Sequence, residues 1–399
     1  MRISTSMMYD MGVGALTAQQ GELLRTQQQM ASQRRLLSAA DDPAAAATAL
    51  RVSQSLARNQ QIEASQEAAA NRLAIGESAL SSVGDVLQSV QERLLQAQNG
   101  TLSITERSMI AADVDNMLGQ LLALANSKDG TGAYLFAGYA ETTTPFVAGA
   151  GGVTYQGDDG ARTLEVASGR NLAVSASGSD VFMRVKTGNG VFASAANPAN
   201  TGAGRIDSGS VANPSALTGR AYELTFNVGG GGTTYDVFDV TAGASVSSGN
   251  PFIAGQSISV AGMQFGITGG PANGDRFTAA PSTNQSVFKT IADASAALRS
   301  GANDALRQTQ VNAMLASLDQ SMNRALTVRA EFGSRLNEIS AHQNVSAAVV
   351  LEHQRRLSQL QDVDYTEAAT RLMRQETATR AAQQSFARVA QLSLFNYLG

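Results

Sequence analysis

A chain of 399 residues with 43% hydrophobic residues has room for two to four domains and a buried core, so it is not disordered as a whole. Its aromatic share is 5% with no Trp, a balance that suits helices packed on helices better than a thick globular core. A formal charge of −4 supplies no basic stripe for nucleic acid or an anionic membrane, and the absence of cysteine excludes a disulfide framework and a Cys-based metal site.

No apolar run reaches the roughly 18 residues of a spanning helix, so membrane insertion is not expected. Residues 1–14 hold no continuous apolar stretch of the secretory kind, so export is expected to proceed without a cleaved signal.

The first predicted element is a helix in which Tyr9, Leu16, Leu23, Met30 and Leu37 recur at heptad spacing, with Val13, Gln20, Gln27 and Arg34 at the intervening seam positions. This is half a seam, expected to order only when neighbours supply the missing contacts. Asp41-Asp42-Pro43 reads as a break and restart, with Asp42 as N-cap and Pro43 in the first turn. From there Leu73, Leu80, Leu87 and Leu94 alternate with Gly76, Val83, Val90 and Ala97, and Ile62 and Ala69 keep the phase. The spacing predicts a helix from about residue 44 to Gln98, on the order of 80 Å long. Asn99-Gly100 ends it, and Ser103-Ile104-Thr105-Glu106 has capping-box spacing for a third helix carrying Ile110, Val114, Met117, Leu121 and Leu124.

The middle is different. Six of the seven prolines fall between residues 145 and 281, with about two-thirds of the 38 glycines, and the hydrophobic period changes to two. Short strands are predicted at Tyr134-Leu135-Phe136, Val153–Tyr155, Arg162–Val166 and Leu172–Val174. A second cluster is predicted at Tyr222–Val228, Thr234–Val240, Ser257–Val260, Met263–Ile267 and Arg276–Thr278.

The C-terminal flank returns to helix: Val311, Leu315, Leu318, Met322, Ala325, Arg329, Phe332, Leu336 and Ile339 keep one phase with a single polar member. Asp364-Tyr365-Thr366-Glu367 marks another restart, followed by Ala368, Leu372, Ala382, Phe386 and Val389 on one side and the apolar tail of residues 392–398, with Leu394 and Leu398. The expected fold is mainly α, a long helical rod or coiled coil built from both chain ends, with a small β-rich domain inserted in the middle.

Several of these stretches, taken in order, resemble the bacterial flagellin superfamily. In the N-terminal half they are Met1-Arg2-Ile3-Ser4-Thr5, Ser38-Ala39-Ala40-Asp41-Asp42-Pro43-Ala44, Gln98-Asn99-Gly100-Thr101 and Gly132-Ala133-Tyr134-Leu135-Phe136-Ala137-Gly138. In the C-terminal half they are Arg329-Ala330-Glu331-Phe332-Gly333-Ser334-Arg335-Leu336-Asn337 and Asp362-Val363-Asp364-Tyr365-Thr366-Glu367-Ala368. The start, the Tyr-Leu-Phe-Ala-Gly stretch and the ending Ser393-Leu394-Phe395-Asn396-Tyr397-Leu398 are similar to the hook-associated protein 3 branch of that superfamily.

The resemblance implies a structural subunit, not an enzyme, exported unfolded and placed outside the cell between flagellar hook and filament. It implies antiparallel pairing of the two chain ends as axial helices and an outward-facing β domain. Residues 1–40 with 362–399 would be the terminal helices, 41–180 with 284–361 the rod with its β-hairpin region, and 181–283 the outer β domain. Implied partners are a second hook-associated protein, flagellin, further copies in a ring or helical layer, and a cytoplasmic export chaperone. The candidate subunit-interface residues are Tyr9, Leu16, Leu23, Met30, Leu37, Leu372, Phe386, Val389, Leu394 and Leu398. Filament flagellin and a secreted adhesin with a glycan-binding β domain are the alternative readings.

Chemistry is sparse. His342 and His353 stand eleven residues apart, roughly 16 Å along a helix and too far to share a metal. Asp362, Asp364 and Glu367 lack the turn Gly and distal Glu of a calcium loop and read as helix capping. Gly229 to Gly232 has no Lys-Ser/Thr after it and reads as a hairpin turn. Asp41 and Asp42 read as a cap, not as an acid/base pair. No cofactor or catalytic set is expected.

Overall fold

Caps and glycines punctuate the chain where the hydrophobic period changes, and the elements follow that punctuation. The computed structural model describes residues 5–395, and the side chains of residues 7–388. It opens with helices α1 (Thr5–Ser32), α2 (Pro43–Ala97) and α3 (Ile104–Ala125). Strands β1 (Phe146–Gly149), β2 (Gly152–Tyr155), β3 (Thr163–Ala167), β4 (Arg170–Ala173), β5 (Val185–Lys186), β6 (Phe192–Ala196), β7 (Arg205–Ile206) and β8 (Ser210–Val211) come next. Then follow β9 (Tyr222–Gly229), β10 (Gly232–Asp239), β11 (Ala244–Pro251), β12 (Ser257–Val260), β13 (Met263–Thr268), β14 (Arg276–Pro281) and β15 (Asn284–Gln285). Helices α4 (Val287–Arg299), α5 (Asp304–Gln361) and α6 (Tyr365–Phe395) close the chain, so the fold is helical at both ends and β-rich in the centre. The chain divides into two units, residues 1–64 with 342–399, and residues 65–341.

In the larger unit, the heptad stripes become core. Leu73, Leu80, Leu87 and Leu94 of α2 are buried together with Val311, Leu318, Ala325, Phe332 and Ile339 of α5. The helices run antiparallel: Gln91 donates to Asp319 at 2.6 Å, Gln98 to Asn312 at 2.6 Å, and Arg329, the polar member of the α5 stripe, reaches Glu77 at 2.5 Å. Gly76 occupies a seam position because Phe332 fills its space; a Cβ there would lie 2.7 Å from the ring. Any side chain at 76 would displace Phe332 from a close-packed contact.

The predicted capping box opens α3: Glu106 N–H donates to Ser103 Oγ, while Ser103 N–H donates to the Glu106 carboxylate at 2.7 Å. Ser103→Ala removes the acceptor for a helix-end N–H, and urea unfolding of the larger unit should show a loss of about 1 kcal/mol. Helix α4 lies against α3, with Arg299 pairing to Asp115 at 2.5 Å and Ser295 donating to the Ala111 carbonyl. Its Phe288 joins an aromatic cluster, 5.3 Å from Phe146 and 5.9 Å from Phe182, beneath the β1–β2 hairpin.

The strand predicted at Tyr134-Leu135-Phe136 does not form. Tyr134 makes a single bridge to Lys128, and Leu135 and Phe136 are buried in a turn that ends at Gly138, φ +72°. The backbone is satisfied by isolated bonds to separate segments instead of a ladder: Tyr134 N–H donates to the Glu141 carbonyl at 2.9 Å and Leu135 N–H to the Ser127 carbonyl at 3.0 Å, while the Asp158 carboxylate accepts the Tyr139 N–H just beyond at 2.9 Å.

The central β part contains an antiparallel five-stranded sheet in the order β11-β10-β9-β14-β6 and a smaller one in the order β12-β13-β7, with β8 also on β13. Alternate residues meet between them: Leu224, Phe226, Val237, Phe265, Ile267 and Phe277 are buried in one cluster. Gly229 to Gly232 is the β9–β10 hairpin turn, with Gly232 at φ +115°. β5 pairs with β15, so entry and exit of the central part lie side by side.

Candidate assembly surface

In the smaller unit, α1 and α6 pair antiparallel. Near one end of the pair the Tyr9 ring lies 5.0 Å from that of Phe386, and near the other Tyr365 Oη donates to the Met30 carbonyl at 2.8 Å. Gly12 lets Phe386 approach, since a Cβ there would come within 2.8 Å of its ring. Leu16, Leu23 and Met30 share the heptad face of Tyr9 and are half-buried, as are Leu372 and Phe386. Val389 and Leu394 lie on α6, but their side chains, like Leu398 as a whole, are outside the described residues.

Leu37 does not belong to that seam. Helix α1 stops at Ser32 because Gln33 turns the chain at φ +59° and its carbonyl accepts Val363 N–H, while Arg35 N–H donates to the Gln361 carbonyl at 2.7 Å. The break therefore begins at residue 33, earlier than Asp41. Leu37 is instead exposed on a groove of about 300 Å³ shared with Leu36, Ala46, Ala49 and Leu50.

The two aspartates at the joint divide the work. Asp42 caps α2, accepting Ala45 N–H at 3.0 Å, whereas Asp41 accepts Leu37 and Ser38 N–H at 2.8 Å each and pairs with Arg25 of α1 at 2.6 Å. The Ser38 N–H first, then the Leu37 N–H and Arg25, outweigh desolvation and hold the Asp41 carboxyl below its usual 3.8. With the folded value depressed, the unfolded chain takes up the proton first as pH falls. The contribution to the turn is complete above about pH 4 and is lost below it. Amide exchange at Leu37 and Ser38 should accelerate across that window, and Asp41→Asn should remove the pH dependence.

The packing in this pair is shallow. Among the described residues of α1 the fully buried side chains are Thr26 and Gln29; in α6 they are Ala368 and Thr379. Thr26 and Thr379 satisfy their hydroxyls on carbonyls one turn back in their own helices. Large apolar side chains face solvent instead: Met11 is 60% exposed, Leu24 57% and Met373 68%, with Met7, Met8, Tyr9 and Val13 similarly open. Apolar groups concentrated on one helix pair in this way make it the candidate assembly surface. Sequence periodicity missed Met7, Met8, Met11, Leu24 and Met373 because they lie off the heptad seam.

Asp364 accepts Thr366 and Glu367 N–H at the start of α6, and Asp362 accepts the Ser358 hydroxyl at 2.5 Å. His342 and His353 both sit on α5, and among the described residues no group of three or more His, Cys, Asp or Glu could hold a metal ion.

Comparison with known proteins follows the same division. Residues 3–141 match the bacterial flagellin N-terminal helical region and residues 315–398 the bacterial flagellin C-terminal helical region. The chain is 28% identical over 396 residues to flagellar hook-associated protein 3 of Salmonella typhimurium, covering 99% of each. It is 32% identical to the crystal structure of Xanthomonas campestris FlgL, at a TM-score of 0.71, covering 77% of this chain and 99% of that one. The chain belongs to the hook-associated protein 3 family of flagellins. The flagellar junction protein FlgL from Legionella pneumophila is also similar, at 29% identity and TM-score 0.72, covering 79% of this chain and 100% of that one. Between the two flagellin regions of this hook-associated chain, residues 142–314 carry the β-rich centre.

Proposed function

We propose that this chain is a structural subunit of the bacterial flagellum that joins hook to filament, outside the cell. The observation that carries the reading is the helix pair at the chain ends: its seam buries almost no apolar side chain, while its outer faces expose a row of large ones. Such a pair gains most of its order from neighbours, which is how a polymer subunit couples folding to assembly. Family membership supports the flagellar setting: the relatives carry the names of a flagellar hook-associated protein and a flagellar junction protein.

In this reading residues 1–40 and 362–399 line the axis, 41–180 with 284–361 form the surrounding helical layer, and 181–283 face outward. Tyr9, Leu16, Leu23, Met30, Leu372 and Phe386 set the pair in register, Leu37 joins the exposed apolar groups at subunit contacts, and Val389, Leu394 and Leu398 complete the interface candidates. The partners are further copies of the chain, a second hook-associated protein and flagellin. An export chaperone covers the apolar ends before the chain leaves the cell.

Deleting the gene tests this directly. Cells should keep hooks, lack filaments and lose flagellin to the medium; normal filaments would exclude the junction role.

A further inference from the structure

The chain has no Cys and no Trp, so the thioether of methionine is its most easily oxidised side chain. Twelve methionines are present, and among the described residues five are exposed: Met7, Met8, Met11, Met109 and Met373. Four of these five lie on α1 or α6. Met7 and Met11 are one helical turn apart on the side of α1 turned away from the Tyr9–Leu16–Leu23 face that meets α6, and Met8, one turn before Gly12, flanks that face and is still exposed. Met263 is buried, and Met117, Met183, Met314 and Met322 are partly buried against the core.

We propose that Met7, Met8 and Met11 on α1 and Met373 further along the pair on α6 are peroxide-sensitive modification sites that switch off the assembly competence of the unassembled chain. The sulfur lone pair attacks one peroxide oxygen, the S–O bond forms as the O–O bond breaks, the proton on the transferred oxygen passes to the departing hydroxide, and water leaves. Sulfur is oxidised by two electrons and peroxide is reduced by two. A flexible apolar side chain becomes a polar sulfoxide on a face otherwise suited to apolar contact. Burying that oxygen against a neighbouring copy without a donor disfavours the contact, so unassembled chain is sensitive and assembled chain is protected. The loss of assembly rests on the junction reading above; the order of oxidation does not.

The test treats purified full-length chain with limiting hydrogen peroxide, maps sulfoxides by peptide mass spectrometry, and measures its addition to hook-ended flagella from cells lacking it. Met7, Met8, Met11 and Met373 should oxidise ahead of Met117, Met183 and Met263. Addition should fall by at least about tenfold, the scale of an unpartnered buried polar group. A methionine sulfoxide reductase should restore it. Met109→Leu should leave the peroxide response unchanged, while the combined Met7→Leu, Met8→Leu, Met11→Leu and Met373→Leu variant should hold its treated-to-untreated ratio near one, whatever its starting level. Oxidation without preference among the methionines, or undiminished addition after oxidation of these four, overturns the proposal. Untreated chain that never joins hooks overturns the junction reading, and the oxidation order still decides the chemistry.

Discussion

Arg72→Ala is expected to destabilise the larger unit by about 3 kcal/mol, the low end of the range for breaking a buried ion pair. Arg72 is 8% exposed and pairs with Asp129 at 2.9 Å and Glu141 at 2.6 Å, and Glu141 takes a second cation, Arg162, at 2.6 Å. The arginine on α2 thereby fixes the irregular stretch between α3 and β1, where backbone pairing is sparse. Truncation leaves two carboxylates with little access to water. Burial acts to raise the Asp129 carboxyl, but the Thr131 hydroxyl, the Thr131 and Ala133 N–H groups and Arg72 together hold it below its usual value. Because those donors survive the substitution and Arg162 still reaches Glu141, the loss should stay at the low end of that range. Urea unfolding measures it; a change under about 1 kcal/mol would mean that solvent screens the pairs.

Removing residues 365–399 is expected to reduce incorporation into flagella to background while leaving the melting of the larger unit unchanged. The deletion takes away Phe386, the partner of Tyr9, and Tyr365, which holds the Met30 carbonyl, and so strips α1 of its partner helix. The larger unit keeps its own core of Leu73 to Leu94 against Val311 to Ile339, which shares no residue with that pair. Circular dichroism and a motility assay on complemented cells separate the two effects. Normal motility with the truncated chain would show that the terminal helices are dispensable.

The parts legible in the sequence were those where one physical signal dominated. The alternation of Leu73, Val83, Leu87 and Leu94 with their neighbours could satisfy only a helix buried along one stripe, and all of them are in the core. Ser103 and Glu106 announced a helix start because the two satisfy each other's backbone donors. Competing demands hid the rest. Helix α4 is short and follows directly on strands, so Phe288, Ile291, Ala294 and Leu298 had little length in which to declare a period. Strand β11 is an exposed edge rich in Ser, with no buried face to leave a period of two. Tyr134 to Phe136 has the composition of a strand, yet hydrogen bonds to Asp158 and Asp129 claim the backbone on either side. On α1 the heptad named the face that meets α6; the exposed methionines followed no seam and became visible only once the helix pair was in place.

Immunogold labelling of intact flagella with an antibody to residues 181–283 bears most directly on the junction role. Gold is expected as a single band where hook meets filament, on every flagellum, with none further out. Label spread along the filament would make the chain a filament subunit and contradict that role.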